Sequence, residues 1–410
     1  MHRLVPQVLL AFSLLACSGD DNGDGGDNGG QNLNPSLGMQ PCENGMAGIY
    51  PCEGYDLLGR ISLADFSATE GNDIWGWADP ITGSEYALMG LDNGVAFVDV
   101  SDTEDLVFLG KLPTATVSSP WRDIKVYRDH AFVVSEAPGH GMQVFDLTRL
   151  RDASGDPQTF GADARYTGFG NAHNLFINEE TGFAYVVGTA RNDAFNGGVH
   201  FINVQDPKNP LAAGGHGQNG YSHDAQVVVY NGPDMDYSGR EVFIGANEDR
   251  VVLVDVTDKA TPVEIASLMY DNIGYTHQGW FTEDQRYFIL GDETDEIQFG
   301  LRSRTLVFDF TDLDNPLLHH TYTGPTNAID HNGYVLGDRF FLANYTAGLR
   351  VLDIADIAGE NIGEIGFFDT YPQDNTTRFD GVWSVYPYFE SGTIILSDIN
   401  SGLFVIAQSP

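Results

Sequence analysis

Gly94-Val-Ala-Phe-Val-Asp-Val100 is a short run of β-branched and aromatic residues entered by glycine and left through an aspartate. The same pattern returns as Gly141-Met-Gln-Val-Phe-Asp-Leu147, Gly198-Val-His-Phe-Ile-Asn-Val204 and Arg250-Val-Val-Leu-Val-Asp-Val256. Arg304-Thr-Leu-Val-Phe-Asp-Phe310, Gly348-Leu-Arg-Val-Leu-Asp-Ile354 and Gly402-Leu-Phe-Val-Ile-Ala407 complete the series. The shared Asp or Asn stands at 99, 146, 203, 255, 309 and 353, with Ala407 in the last copy. A spacing near 50 residues, built from strand-forming segments, is the mark of propeller blades.

Within a unit the order repeats. Asp123-Ile-Lys-Val-Tyr127, His130-Ala-Phe-Val-Val134 and Met142-Gln-Val-Phe145 read as three strands, with a weaker fourth near Arg165-Tyr166. Gly, Asp and Asn at the junctions predict tight antiparallel connections, and helical periodicity is nearly absent. The chain therefore reads as all-β: a seven-bladed β-propeller of four-stranded antiparallel blades, six and eight blades being the alternatives. The last copy ends at Pro410 without a fourth strand, while residues 55–63 resemble the fourth-strand segment Leu106-Val-Phe-Leu-Gly-Lys-Leu112. An N-terminal strand is expected to complete the last blade and remove both exposed edges.

The flanking sequence sets the organisation. Residues 1–17 pair His2 and Arg3 with an apolar run ending in Leu14-Leu15-Ala16-Cys17, the pattern of a lipoprotein signal with a lipidated Cys17; an ordinary cleaved signal is the alternative. Residues 18–40 are rich in Gly, Asp and Asn and read as a disordered tether. Residues 41–54 form a segment expected to be closed by a Cys42–Cys52 disulfide, and 55–410 form the propeller. The expectation is an exported, lipid-anchored protein of the bacterial outer membrane or cell surface, touching the membrane only through its anchor. With 58 acidic residues against 20 basic ones and a net charge of −38, nucleic acid is excluded as a partner.

Longer motifs carry a resemblance. Asp73-Ile-Trp-Gly-Trp77, Trp121-Arg-Asp-Ile-Lys125, Tyr275-Thr-His-Gln-Gly-Trp280, Asp330-His-Asn332 and Trp383-Ser-Val-Tyr-Pro-Tyr388 resemble the choice-of-anchor B family. The strand motif itself is similar to the LVIVD repeat of bacterial surface proteins. The resemblance runs over about residues 41 to 408. It implies one extracellular propeller attached to cells by differing anchors, and no particular reaction.

Aligning the units on their third strands also aligns one residue on each innermost strand: Trp75, Trp121, His173, His223, His277, His331 and Trp383. In a propeller these strands line the central channel, so the seven positions are expected to form one ring. His173, His223, His277 and His331 are then candidate ligands for zinc, manganese, copper or iron, with calcium as an alternative that prefers oxygen donors. Around them the same mouth is expected to collect Glu136, Asp224, Gln278, Asp292, Glu293, Asp330, Asn332 and Tyr345, with Trp75, Trp121 and Trp383 as ligand-stacking surfaces. Arg122 next to Asp123 reads either as an internal ion pair or as a holder of a carboxylate ligand. The run Gly291-Asp-Glu-Thr-Asp-Glu296 reads either as a cation loop or as a solvated acidic loop. His130, His140, His200, His216, His319 and His320 fall outside the ring and read as surface or loop residues.

Three uses of the mouth stay open: a metal site, a polar pocket for an organic ligand, and structural plugging. The first function expected is a non-catalytic surface module that binds a glycan, peptide or surface protein. The second is a metal-dependent lyase or hydrolase acting on an acidic polysaccharide. No G-x-S-x-G, H-E-x-x-H or phosphate-binding glycine loop is present.

Overall fold

The recurring aspartate is a strand terminator. Asp99 accepts hydrogen bonds from the Ser101 backbone N–H (2.9 Å) and hydroxyl (2.6 Å), and Asp146 does the same for Thr148 (3.1 and 2.6 Å). Asn203, Asp255, Asp309 and Asp353 each accept from the N–H two residues on, at 2.8–3.0 Å. Such a side chain turns the backbone out of the ladder at the same point in the first five units, while in the sixth the strand Leu349–Asp356 runs three residues past Asp353. The seventh copy carries Ala407, which lies within the strand Gly402–Gln408.

The computed structural model describes residues 38–410. The signal segment, Cys17 and residues 18–37 of the tether lie outside the described residues. Seven sheets follow one another round a ring, each with its first strand innermost; all pairings are antiparallel except that Gln158–Thr159 adds parallel to Val107–Pro113 at the outer edge of the first. The innermost strands are Gly71–Ala78, Arg122–Tyr127, Asn174–Asn178, Asp224–Val229, Thr276–Phe281, Gly333–Leu336 and Val382–Tyr386. The last blade is closed as expected. Tyr55–Ile61 pairs antiparallel with Gly402–Gln408, from Tyr55 opposite Gln408 to Ile61 opposite Leu403. Ala164–Tyr166 is the weak fourth strand of the second blade.

The segment before the ring joins a blade. Cys42 and Cys52 are disulfide-bonded with their Cα atoms 6.0 Å apart. Tyr50–Glu53 pairs with Asn361–Phe368 and Met46–Ala47 pairs with Tyr50–Glu53, so the sixth sheet has six strands. Covering that outer edge protects it from further pairing.

Apolar layers fill the spaces between neighbouring blades. Leu57, Phe341, Val351, Phe368, Leu396 and Phe404 join the sixth and seventh blades, and Trp77, Leu88, Phe97, Val133 and Phe145 join the first and second. Near the axis, polar side chains fasten inner strands to the backbone of the next at four junctions. Asp73 accepts from the Ile124 N–H (3.1 Å), Asp123 from Leu175 (2.8 Å), Gln226 from Phe281 (2.8 Å) and Gln278 from Gly333 (2.9 Å). These bonds fix the relative height of the strands they join, and so set the level of the residues that face the channel. Among the described residues no helix is long and apolar enough to cross a membrane.

Candidate functional site

His173, His223, His277 and His331 enter four consecutive inner strands and stack round the channel as a chain of imidazoles. Successive ring centroids are 4.0, 4.5 and 4.4 Å apart, and His331 continues at 4.4 Å to Tyr345 and 4.8 Å to Trp383. Glu293, on the loop after the strand Tyr287–Asp292, reaches between them. Its carboxylate oxygens lie 3.7 Å from His277 Nε2 and 3.6 Å from His331 Nε2, and Tyr345 donates its hydroxyl to it at 2.8 Å.

The outer ring nitrogens decide the tautomers. His173 Nδ1 bonds Glu136 Oε1 at 2.7 Å, His331 Nδ1 bonds the Trp383 carbonyl, and His223 Nδ1 meets the His277 carbonyl at 3.4 Å. A carbonyl or carboxylate oxygen only accepts, so Nδ1 carries the proton in each case. In the neutral ring Nε2 then presents a lone pair, the form that ligates metals. Burial, reinforced by the neighbouring imidazoles, holds His223 well below the usual histidine range and lowers His277 and His331 to about 3. These three rings are therefore uncharged at neutral pH.

His223, His277 and Glu293 each offer a ligating atom within 4.8 Å of the other two. Donors bound to zinc at ~2.1 Å stand at most ~4.2 Å apart, so small side-chain rotations would close the three on an ion. Two nitrogens and one oxygen suit a borderline transition metal better than calcium, which takes six or more oxygens.

Above the rings opens a cavity of about 370 Å³, lined by the four histidines, Glu293, Tyr345, Trp121 and Trp383, with Glu70, Gly71, Phe379 and Ile399 at its sides. Below them Arg122, Asp123, Asn174, Asp224 and Asn332 pack with Asp73 around a narrow slot. Burial raises Asp224 to about 7 although Lys125 lies near it. Lys125 itself pairs with Asp123 at 2.7 Å and Asp73 at 3.4 Å.

Other expected site residues sit elsewhere. Trp75 lines a separate cavity, against Tyr386 and Lys125. The ring position of the first blade is Gly71, because that blade's first two strands run eight and seven residues against six and six in the second. Asp292 accepts from the N–H groups of Gly274, Tyr275, Thr294 and Asp295 and holds a turn. Asp330 accepts from Ser303, Thr305 and Asn344, and Gln278 spends its amide on both backbone groups of Gly333. These three shape the mouth without lining it.

Arg122 makes no ion pair with Asp123: it donates to the Leu91 carbonyl at 3.0 Å and meets His140 Nε2 at 3.1 Å. His140 lies in a loop as expected, though buried, whereas His200 and His216 are buried in strands, so the surface or loop reading fails for these two; each has a partner that sequence spacing does not reveal. The acidic run at 291–296 is likewise not solvated, since Asp292, Asp295 and Glu296 are buried and Asp295 pairs with Arg304. Asp73, Glu70 and Phe379 went unmarked. Asp73 alone had a signal, in the correspondence of Asp73-Ile74 with Asp123-Ile124.

No family model matches this chain, and no curated protein matches it. Solved structures do. A protein from Lactobacillus plantarum is 14% identical with a TM-score of 0.54, over 80% of this chain and 88% of its own. Hydrazine synthase of Kuenenia stuttgartiensis is 11% identical with a TM-score of 0.53, over 78% and 91%. A putative 6-phosphogluconolactonase of Bacteroides fragilis is 11% identical with a TM-score of 0.51, over 80% and 88%. At such identities the likeness speaks for the fold alone: the chain is a seven-bladed β-propeller.

Proposed function

We propose that this chain is a lipid-anchored bacterial surface protein of the choice-of-anchor B type, whose upper channel mouth binds a ligand through a histidine-held transition metal. His223, His277 and Glu293 would hold the ion, with His331 and His173 beside them. The observation that carries this is the convergence of donors: two imidazoles and a carboxylate within 4.8 Å, in a ring where the Nδ1 atoms of His173, His223 and His331 meet oxygen acceptors while that of His277 is buried without a partner. Neutral imidazoles at this depth lose no protonation energy when a cation arrives. The metal would supply a Lewis-acidic centre to which a carboxylate or carbonyl of a glycan, peptide or surface protein binds. Trp121, 39% exposed, and Phe379, 49% exposed, offer that partner apolar surface at the rim.

A second reading, a metal-dependent lyase or hydrolase on an acidic polysaccharide, draws on Tyr345. Its hydroxyl stands on Glu293 at 2.8 Å, its ring packs on His331, and its φ is +35°, a strained backbone for a tyrosine. Burial and Glu293 raise its pKa, which keeps the phenol protonated and able to donate.

Elemental analysis of the purified protein tests the metal. About one equivalent of zinc, manganese, copper or iron is expected, lost in both His223→Ala and His277→Ala with the fold intact by circular dichroism. Absence of metal, together with a melting temperature that neither chelators nor added ions change, would refute it. Release of reducing ends from an acidic polysaccharide, abolished in Tyr345→Phe, would favour the enzyme.

A further inference from the structure

Five inner strands present an aromatic residue three or four positions beyond the ring position, about 10 Å deeper at strand rise: Trp75, Phe176, Trp280, Tyr334 and Tyr386. Trp75, Phe176, Trp280 and Tyr386 line there, together with Tyr388, a cavity of about 270 Å³ separate from the histidine mouth. The rings brace one another edge-on: Trp280 against the buried Tyr334 at 4.9 Å, Trp75 against Tyr386 at 5.2 Å, and Tyr386 against Tyr388 at 5.3 Å. Glu179 stands exposed among the lining residues, and the Tyr388 hydroxyl is buried with no hydrogen-bond partner.

We infer that this lower cavity is a second binding site, an aromatic cage for a small organic cation of the quaternary ammonium type. Three observations select that class. First, the cavity already holds a cation on an aromatic face, since Lys125 Nζ lies 4.6 Å from the centre of the Trp75 ring. Second, that ammonium is no anchor for an anion. Its three protons go to Asp123 (2.7 Å), the Ile124 carbonyl (3.1 Å) and Asp73 (3.4 Å). Third, the remaining lining sets the ring faces of Trp75, Phe176, Trp280, Tyr386 and Tyr388 beside the carboxylate of Glu179. A trimethylammonium group needs only such π faces and nearby negative charge, and competition by a neutral glycoside tests the alternative of a sugar ring. The chain's net charge of −38 raises the local concentration of any such cation.

Isothermal titration calorimetry with choline as the probe, at moderate salt, tests this. Choline is expected to bind saturably, and its uncharged tert-butyl analogue about tenfold more weakly, the range of a desolvated cation–π contact. Trp280→Ala is expected to cost about tenfold and Glu179→Gln a few-fold, while Trp121→Ala at the upper mouth changes nothing. Glu179 is exposed, so its variant keeps the test sound even where Trp280→Ala fails to fold. Equal binding of the uncharged analogue, competition by a neutral methyl glycoside, loss through Trp121→Ala, or no saturable choline binding would each overturn the inference. The metal content should be the same in Trp280→Ala and Glu179→Gln as in the wild type, which separates this site from the histidine mouth.

Discussion

Replacing His277 by glutamine, which stays neutral at every pH, isolates what the ring does to acid stability. His277 is 2% exposed, and burial with the neighbouring His173 lowers its pKa to about 3. In the unfolded chain the imidazole takes a proton as the pH falls through ~6.5. The native protein takes none until about 3, so between those values acid favours the unfolded state. The stabilisation is whole above pH 6.5 and is lost on the way down to 3. Its slope is about 1.4 kcal/mol per pH unit, or about 2 kcal/mol between pH 7 and 5. Asp224, raised by burial to about 7, and Asp330, raised to about 6, act in the opposite sense, because the native state binds their protons first. Both carboxyls are present in wild type and variant and largely cancel in the difference. Urea unfolding at pH 7, 6 and 5, with chelator present, should therefore show His277→Gln gaining on the wild type by about 2 kcal/mol over the range. A difference that stays flat from pH 7 to 5 would mean that the fold holds this ring protonated, and the neutral, lone-pair-bearing ring would be wrong.

Two further outcomes are expected. Cys42→Ser opens a loop with a sequence separation of ten, and should lower stability to urea by about 2–3 kcal/mol. Reductant should reproduce the loss in the wild type and add nothing in the variant. Tyr345→Phe removes the donor to Glu293 and should weaken zinc binding about tenfold in a competition titration with a chromophoric chelator, with unfolding almost unchanged. Unaltered zinc affinity would show that Tyr345 does not orient the carboxylate.

The blades were legible because one side chain has one backbone task. Each Asp or Asn at the end of a third strand binds the N–H two residues on, so its recurrence marks the strand end whatever the loops do. Four histidines came into register for a related reason: polar braces between successive inner strands hold these strands at one height. The carboxylates were less legible. Asp292, Glu293 and Asp330 look alike in sequence, yet the first accepts from four backbone N–H groups and the last from hydroxyls and an amide. Of these three only Glu293 keeps oxygens turned to the imidazoles, and that depends on which loop bends which way. Counting back from Asp99 could not find Gly71, since strand lengths differ between blades while the count assumes that they match.

Gly71 also explains why the ring is lopsided. It lies where the first blade meets the last, and its N–H donates to the Ile399 carbonyl at 3.0 Å. A Cβ there would come within 2.5 Å of the Asp398 carbonyl oxygen. Closing the circle through the seventh blade thus forbids a side chain at this one ring position. The six remaining positions divide into four imidazoles on consecutive blades and two indoles, Trp121 and Trp383, on the blades either side of the gap. A ligand seated at the gap would meet indole faces at its flanks and the His223–His277–Glu293 donors across the channel. The seam that seals the fold is in this way also what leaves room in front of the His223–His277–Glu293 donors, and a bulky residue at 71 would have to break one to fill the other.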